Sequence, residues 1–107
     1  MKNSEIQKML KAHKLWIDSN KKQGEPANFC GAIIRGVDFC GFDLREASFR
    51  GCDLSGCDFY GARLCEVDFR ESNIYGANFR GAIIRGAIIR GAHLCETNLD
   101  FFDRNFA

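Results

Sequence analysis

The side chains able to do chemistry in this 107-residue chain are few, and their spacing keeps them apart. His13 and His93 are the available neutral bases, and six cysteines are the available nucleophiles or soft metal ligands. Nucleophilic catalysis needs a base within reach of its nucleophile, and a metal site needs convergent donors. Cys30, Cys40, Cys65 and Cys95 share one register but are dispersed along the chain, while Cys52 and Cys57 fall in another. The sequence therefore predicts no catalytic, cofactor-binding or metal-binding residues and a non-enzymatic protein. One further set has a regular spacing: Arg50, Arg70 and Arg90, twenty residues apart. Stacked guanidinium groups suit an anionic or phosphate-bearing partner, unless neighbouring acids such as Asp68 and Glu71 neutralise them as a solvated face.

The elements that position these residues follow a period of five. Every fifth residue from Phe29 to Leu99 is Phe, Leu or Ile. Neither a helix nor a simple strand has that period; a stacked coil whose sides are one pentapeptide long does. The residue two before each centre is small, except at Phe42. The residue just before it is Asp, Asn or Ser in ten of fifteen units, and the residue two after it is Gly in ten. Centre and small residue point inward together on extended backbone. Asp or Asn then bonds nearby N–H groups at the corner, and Gly supplies positive φ.

A second period of twenty gives the number of sides. Phe centres fall at 29, 49, 69 and at 39, 59, 79, with Leu or Ile filling the other two sets. Four units per turn stack Phe on Phe along two opposite sides. In this square coil of just under four turns, the four outward cysteines lie one on each side. Cys52 and Cys57 point inward as small apolar groups.

Units such as Ala47-Ser48-Phe49-Arg50-Gly51, Cys57-Asp58-Phe59-Tyr60-Gly61 and Ala77-Asn78-Phe79-Arg80-Gly81 resemble the A-[DN]-[LF]-x-x repeat of pentapeptide repeat proteins. The resemblance implies an all-β, right-handed quadrilateral β-helix with an N-terminal α-helical cap. It also implies a structural or protein-interaction scaffold presenting flat side-chain columns to a protein partner. Some members mimic DNA and protect gyrase from quinolones, which makes a topoisomerase modulator the alternative. That mimicry needs an acidic surface. Here the chain beyond residue 26 has nine arginines against eleven acids, and arginine fills seven of the fifteen positions just after a centre.

Three segments are expected: residues 1–26 as capping helix and connector, 27–101 as the solenoid, and 102–107 as the C-terminal end. Residues 4–18 read as an amphipathic helix with Ser4 and Gln7 as a capping box. Ile6, Met9, Leu10, His13, Trp16 and Ile17 lie on one face. At the other end the pattern breaks, and Phe101, Phe102 and Phe106 with Ile88 form a candidate interface for an end-to-end homodimer. Phe42 puts a large ring at a small position, so the first turn should be locally swollen. The net charge of +1 leaves no footprint for direct nucleic-acid binding or an acidic membrane. The N-terminus lacks the apolar run of a signal peptide, no segment has membrane-spanning length, and free thiols point to the cytoplasm.

Overall fold

The computed structural model describes residues 1–97. Helix α1 (Asn3–Asp18) opens the chain, and the remainder is a coil with no second helix among the described residues. The expected capping box is not formed. Lys2 is the N-cap, no side chain caps the first turn, and Ser4 lies inside the helix. α1 buries Ile6, Leu10 and His13, with Met9 packed partly against the same core.

Beyond the connector, the chain repeats every twenty residues. Parallel bridges join Asn28, Ser48, Asp68 and Ile88 in one column and Ile33, Asp53, Asn73 and His93 in the next. Asp38, Asp58 and Asn78 form the third column, and Asp43, Arg63 and Ile83 the fourth. Each side contributes single bridges rather than extended strands, because every pentapeptide must turn a corner. At a centre the N–H donates to the following turn, as from Phe29 to the Ser48 carbonyl at 2.8 Å. The residue before a centre donates to the preceding turn, as from Ser48 to the Ala27 carbonyl at 2.9 Å. Corners close through bonds such as Ala32 N–H to the Phe29 carbonyl at 2.9 Å. The Asp or Asn before a centre accepts from the residue after it: Asp38 from Cys40 at 2.8 Å, Asp58 from Tyr60 at 2.9 Å.

The interior consists of the stacked columns. Phe29, Phe49 and Phe69 lie parallel with centroids 5.0 and 5.5 Å apart. Phe39, Phe59 and Phe79 do the same at 5.1 and 4.9 Å. The two columns meet edge to face, the arrangement that aromatic quadrupoles favour. Small inward residues with a polar atom satisfy it locally. Cys52 and Cys57 donate from Sγ to the Phe29 and Ile34 carbonyls at 2.8 and 2.7 Å, and Ser72 donates to the Phe69 carbonyl at 2.6 Å.

Phe42 corrects the sequence expectation. Its side chain is 38% exposed and does not swell the core. The later members of its column, Ala62 and Ala82, are fully buried. Phe42 belongs to the first turn, where no preceding turn encloses it, so its ring has room outside.

Where the coil meets α1, the ladder rule breaks and the cap compensates. The Ile33 carbonyl, with no turn before it, accepts from the Met1 amino group at 3.0 Å. Ala27 has no repeat centre three residues earlier; its N–H donates instead to Nδ1 of His13 at 2.8 Å. Lys21 lies over the Trp16 ring at 5.3 Å and pairs with Glu46 at 2.9 Å, tying the end of the cap to a corner of the first turn.

Candidate functional site

The square coil puts its chemistry on flat outer sides. The ladder bonds from Gly31 to the Arg50 carbonyl, Gly51 to that of Arg70 and Glu71 to that of Arg90, at 2.9, 2.9 and 3.0 Å, stack Cys30, Arg50, Arg70 and Arg90 in one column. The three arginines are therefore brought together on one side, but they are not equivalent. Arg70 is held in a fork by Asp68, with Nε to Oδ1 at 3.0 Å and a terminal nitrogen to Oδ2 at 2.8 Å. The hydrogen bonds from Arg70 hold the Asp68 carboxyl below its ordinary range and raise the guanidinium in turn. Arg50 is only loosely paired, 3.6 Å from Glu71. The Arg90 side chain has no hydrogen bond or ion pair among the described residues, because Ile88 stands where Asp68 stands beside Arg70.

The acid-paired reading of the column thus describes Arg70, while Arg50 and Arg90 are the arginines that present charge to solvent. The same fork recurs at Arg45 and Asp43, with contacts of 2.8, 3.1 and 2.6 Å. Arg35, with Ile33 before its centre, reaches instead to Asp53 of the next turn at 2.6 Å. Asp or Ile before the centre decides whether the arginine after it is neutralised within its own unit.

A second group was missed by sequence reasoning. Donor atoms of Asp38, Cys40 and Asp58 lie within 4.8 Å of one another on the opposite side of the coil. The signal was present: two Asp at twenty-residue spacing, with a Cys two after the first. The Asp38 carboxylate hydrogen-bonds the Cys40 thiol and pushes it up to about 12, with burial and Asp58 adding to the effect. The same bond holds the Asp38 carboxyl down. Cys40 is therefore a protonated donor rather than a ready thiolate. Burial pushes Cys52 and Cys57 up to about 11.

Of the candidate dimer residues, Ile88 is half-buried and its backbone sits in the ladder, donating to the Val67 carbonyl at 2.9 Å. Phe101, Phe102 and Phe106 lie outside the described residues. Among the described residues, open hollows of about 240 and 320 Å³ lie beside the cap.

Residues 27–61, 47–86 and 62–100 match the profile of pentapeptide repeats, in eight copies. The chain belongs to the pentapeptide repeat family. Proteins of this family fold as right-handed quadrilateral β-helices and are generally scaffolds rather than catalysts. A pentapeptide repeat protein from the thylakoid lumen of Arabidopsis thaliana superposes with a TM-score of 0.66 at 24% identity. The match covers 73% of this chain and 62% of that one, and shows the shared fold. Rfr23 from the cyanobacterium Cyanothece 51142 gives a TM-score of 0.42 at 26% identity, over 81% of this chain and 67% of its own. QnrB1, a plasmid-mediated fluoroquinolone resistance protein, gives 0.40 at 26% identity, over 77% and 48%. No curated protein matches the sequence.

Proposed function

We propose that the protein is a non-enzymatic scaffold whose Arg50/Arg70/Arg90 side docks an acidic surface of a protein partner. The observation that carries this is the unequal pairing within the column. The Arg90 guanidinium is exposed and without a partner among the described residues, and Arg50 is held at only 3.6 Å. Two turns of about 4.8 Å each separate them on one flat side, a spacing that side chains on one face of a partner can match. Asp68 fixes Arg70 between them and lends the column rigidity.

A fluorescent oligoglutamate peptide tests the surface. Salt-sensitive binding by the full chain is expected, falling roughly tenfold or more in Arg50→Glu/Arg90→Glu and little changed in Arg35→Glu. Equal binding by all three proteins would remove the proposal. The gyrase alternative gains no support from the charge pattern, since no acid occurs between Glu71 and Glu96 while Arg80, Arg85 and Arg90 occupy three successive sides. A supercoiling assay with and without a quinolone is its direct test. The free thiols of the exposed Cys30, Cys40 and Cys95 fit a reducing compartment such as the cytoplasm.

A further inference from the structure

The junction between α1 and the first turn contains a buried titratable group in a place where the repeat cannot satisfy itself. His13 is 1% exposed. Its Nδ1 accepts the Ala27 N–H at 2.8 Å, which assigns the proton of the neutral ring to Nε2. Nε2 has no hydrogen-bond partner. From the second turn on, a bond such as Gly31 N–H to the Arg50 carbonyl pairs the residue after a centre. The Arg45 carbonyl would by that rule be paired by residue 26, but Pro26 has no N–H to give. That carbonyl acts on the His13 ring by favouring its charged form. The imidazole thus supplies the acceptor for Ala27 that an absent preceding turn would give.

We propose that α1 is a pH-gated lid on the first turn, held shut by neutral His13 and released when His13 takes a proton. A proton on Nδ1 sets N–H against the Ala27 N–H, so the 2.8 Å bond cannot survive. The burial that desolvates the ring disfavours its charged form and lowers its proton affinity below the ordinary 6.5. Asp43, the Arg45 carbonyl and Glu46 of the first turn favour protonation, and the charge of the Arg45 guanidinium opposes it. Glu46 is also engaged by Lys21, and Asp43 by the fork from Arg45. On α1, Lys11 and Lys14 are exposed, with Lys14 taken up by Asp18 at 2.7 Å; Glu25 of the connector is exposed.

The direction follows from linkage. The open lid binds the proton at the ordinary His value and the shut lid only at a lower pH. The latch is therefore at full strength above about 6.5 and weakens as pH falls below it, by up to about tenfold in the opening equilibrium per pH unit. Release parts Ile6 and Leu10 from the core at the end of the coil, where the ladder edge already has unpaired backbone N–H groups at Asn28, Ile33, Asp38 and Asp43 among the described residues.

The test follows the full chain from pH 7.5 to 4.5. Ring proton NMR reads His13 and His93 separately, and amide exchange reads Ala27 after correction for its intrinsic pH dependence. His13 is expected to titrate below 6.5, with Ala27 protection lost at the same midpoint while the circular dichroism of the coil holds. His13→Gln, which can still accept from Ala27 but cannot take a proton, should abolish the pH dependence at Ala27; Glu46→Gln should keep it. Titration of His13 without faster Ala27 exchange overturns the proposal. So does a pH dependence that persists in His13→Gln. If that variant fails to fold, the agreement or disagreement of the two wild-type midpoints decides.

Discussion

The rings of Phe39 and Phe59 lie parallel, one turn apart, with centroids 5.1 Å from each other and both side chains fully buried. Phe59 also stacks on Phe79 and meets Phe49 and Phe69 edge to face. Truncating it removes four ring contacts at once and leaves a void that the rigid ladder cannot close. Phe59→Ala is therefore expected to cost about 3–5 kcal/mol. Phe42→Ala, at a ring 38% exposed beside the first turn, should cost less than about 1 kcal/mol. Chemical denaturation of the two variants measures the difference, and equal losses would place Phe42 in the core.

The contrast between those two phenylalanines shows what the sequence carries. Its five- and twenty-residue periods determine which side chains share a column, so the Phe stacks and the Arg50/Arg70/Arg90 side were legible from spacing alone. The period says nothing of which turn lies at the end. Phe42 and Ala62 occupy the same column, yet only the second is enclosed from both directions. His13 was legible as a member of the apolar face of α1. Its bond to Ala27 was not, because that bond answers a backbone vacancy visible only once the turns are stacked. The unequal charge of Arg70 and Arg90 was half legible: Asp68 and Ile88 are two residues before them, but the fork depends on both side chains projecting from one flat side.

Removing the acceptor at the cap leaves a buried donor unpaired. His13→Ala is expected to cost about 1–3 kcal/mol from the Ala27 N–H alone, plus the loss of packing against Trp16, whose ring centroid is 5.6 Å away. His13→Gln should recover part of this. Thermal unfolding at pH 7.5, where the histidine is neutral, gives the comparison; equal stability of the Ala variant would show that Ala27 finds another acceptor.

Thiol labelling separates the two exposed cysteines on opposite corners of the first turn. Cys30 and Cys40 are both exposed, but Asp38 holds the Cys40 thiol up at about 12 against an ordinary 9.0. A three-unit rise cuts the thiolate fraction about a thousandfold. Higher intrinsic nucleophilicity returns part of that, leaving labelling on the order of thirtyfold slower. Mass-resolved reaction with a disulfide reagent at pH 8 should show Cys40 lagging by that order, and Asp38→Asn should speed it. Undiminished labelling at Cys40 would rule out the Asp38 bond.

Acid should weaken the coil in a window separate from the cap. Hydrogen bonds from Ser55 and Arg35 hold the Asp53 carboxyl below its ordinary 3.8, and those from Arg70 do the same for Asp68. Carboxyls held down in the folded state stabilise it fully above that ordinary value, and the contribution is lost as pH falls through the lowered one. Global unfolding followed by circular dichroism is therefore expected to show a further decline below about pH 4, beyond the contribution that His13 loses below its ordinary 6.5. Asp53→Asn/Asp68→Asn should flatten that decline, and an unchanged profile would place its origin elsewhere.

The corners offer a stabilising change. Glu66 sits at a position that is glycine in most units, with φ of 61°, in the left-handed region. An L side chain there costs roughly 1–2 kcal/mol relative to a residue free of that clash. Its Cγ also fills the space next to Gly86, where an added Cβ would come within 3.0 Å of it. Glu66→Gly should therefore raise stability by about 1 kcal/mol, offset in part by the greater freedom of glycine in the unfolded chain. The same variant should lessen the harm of Gly86→Ala, because the contact disappears while the strain at the Gly86 φ of 74° remains. A double-mutant cycle by denaturant unfolding measures the coupling. Strict additivity would show that Glu66 and Gly86 do not share that space.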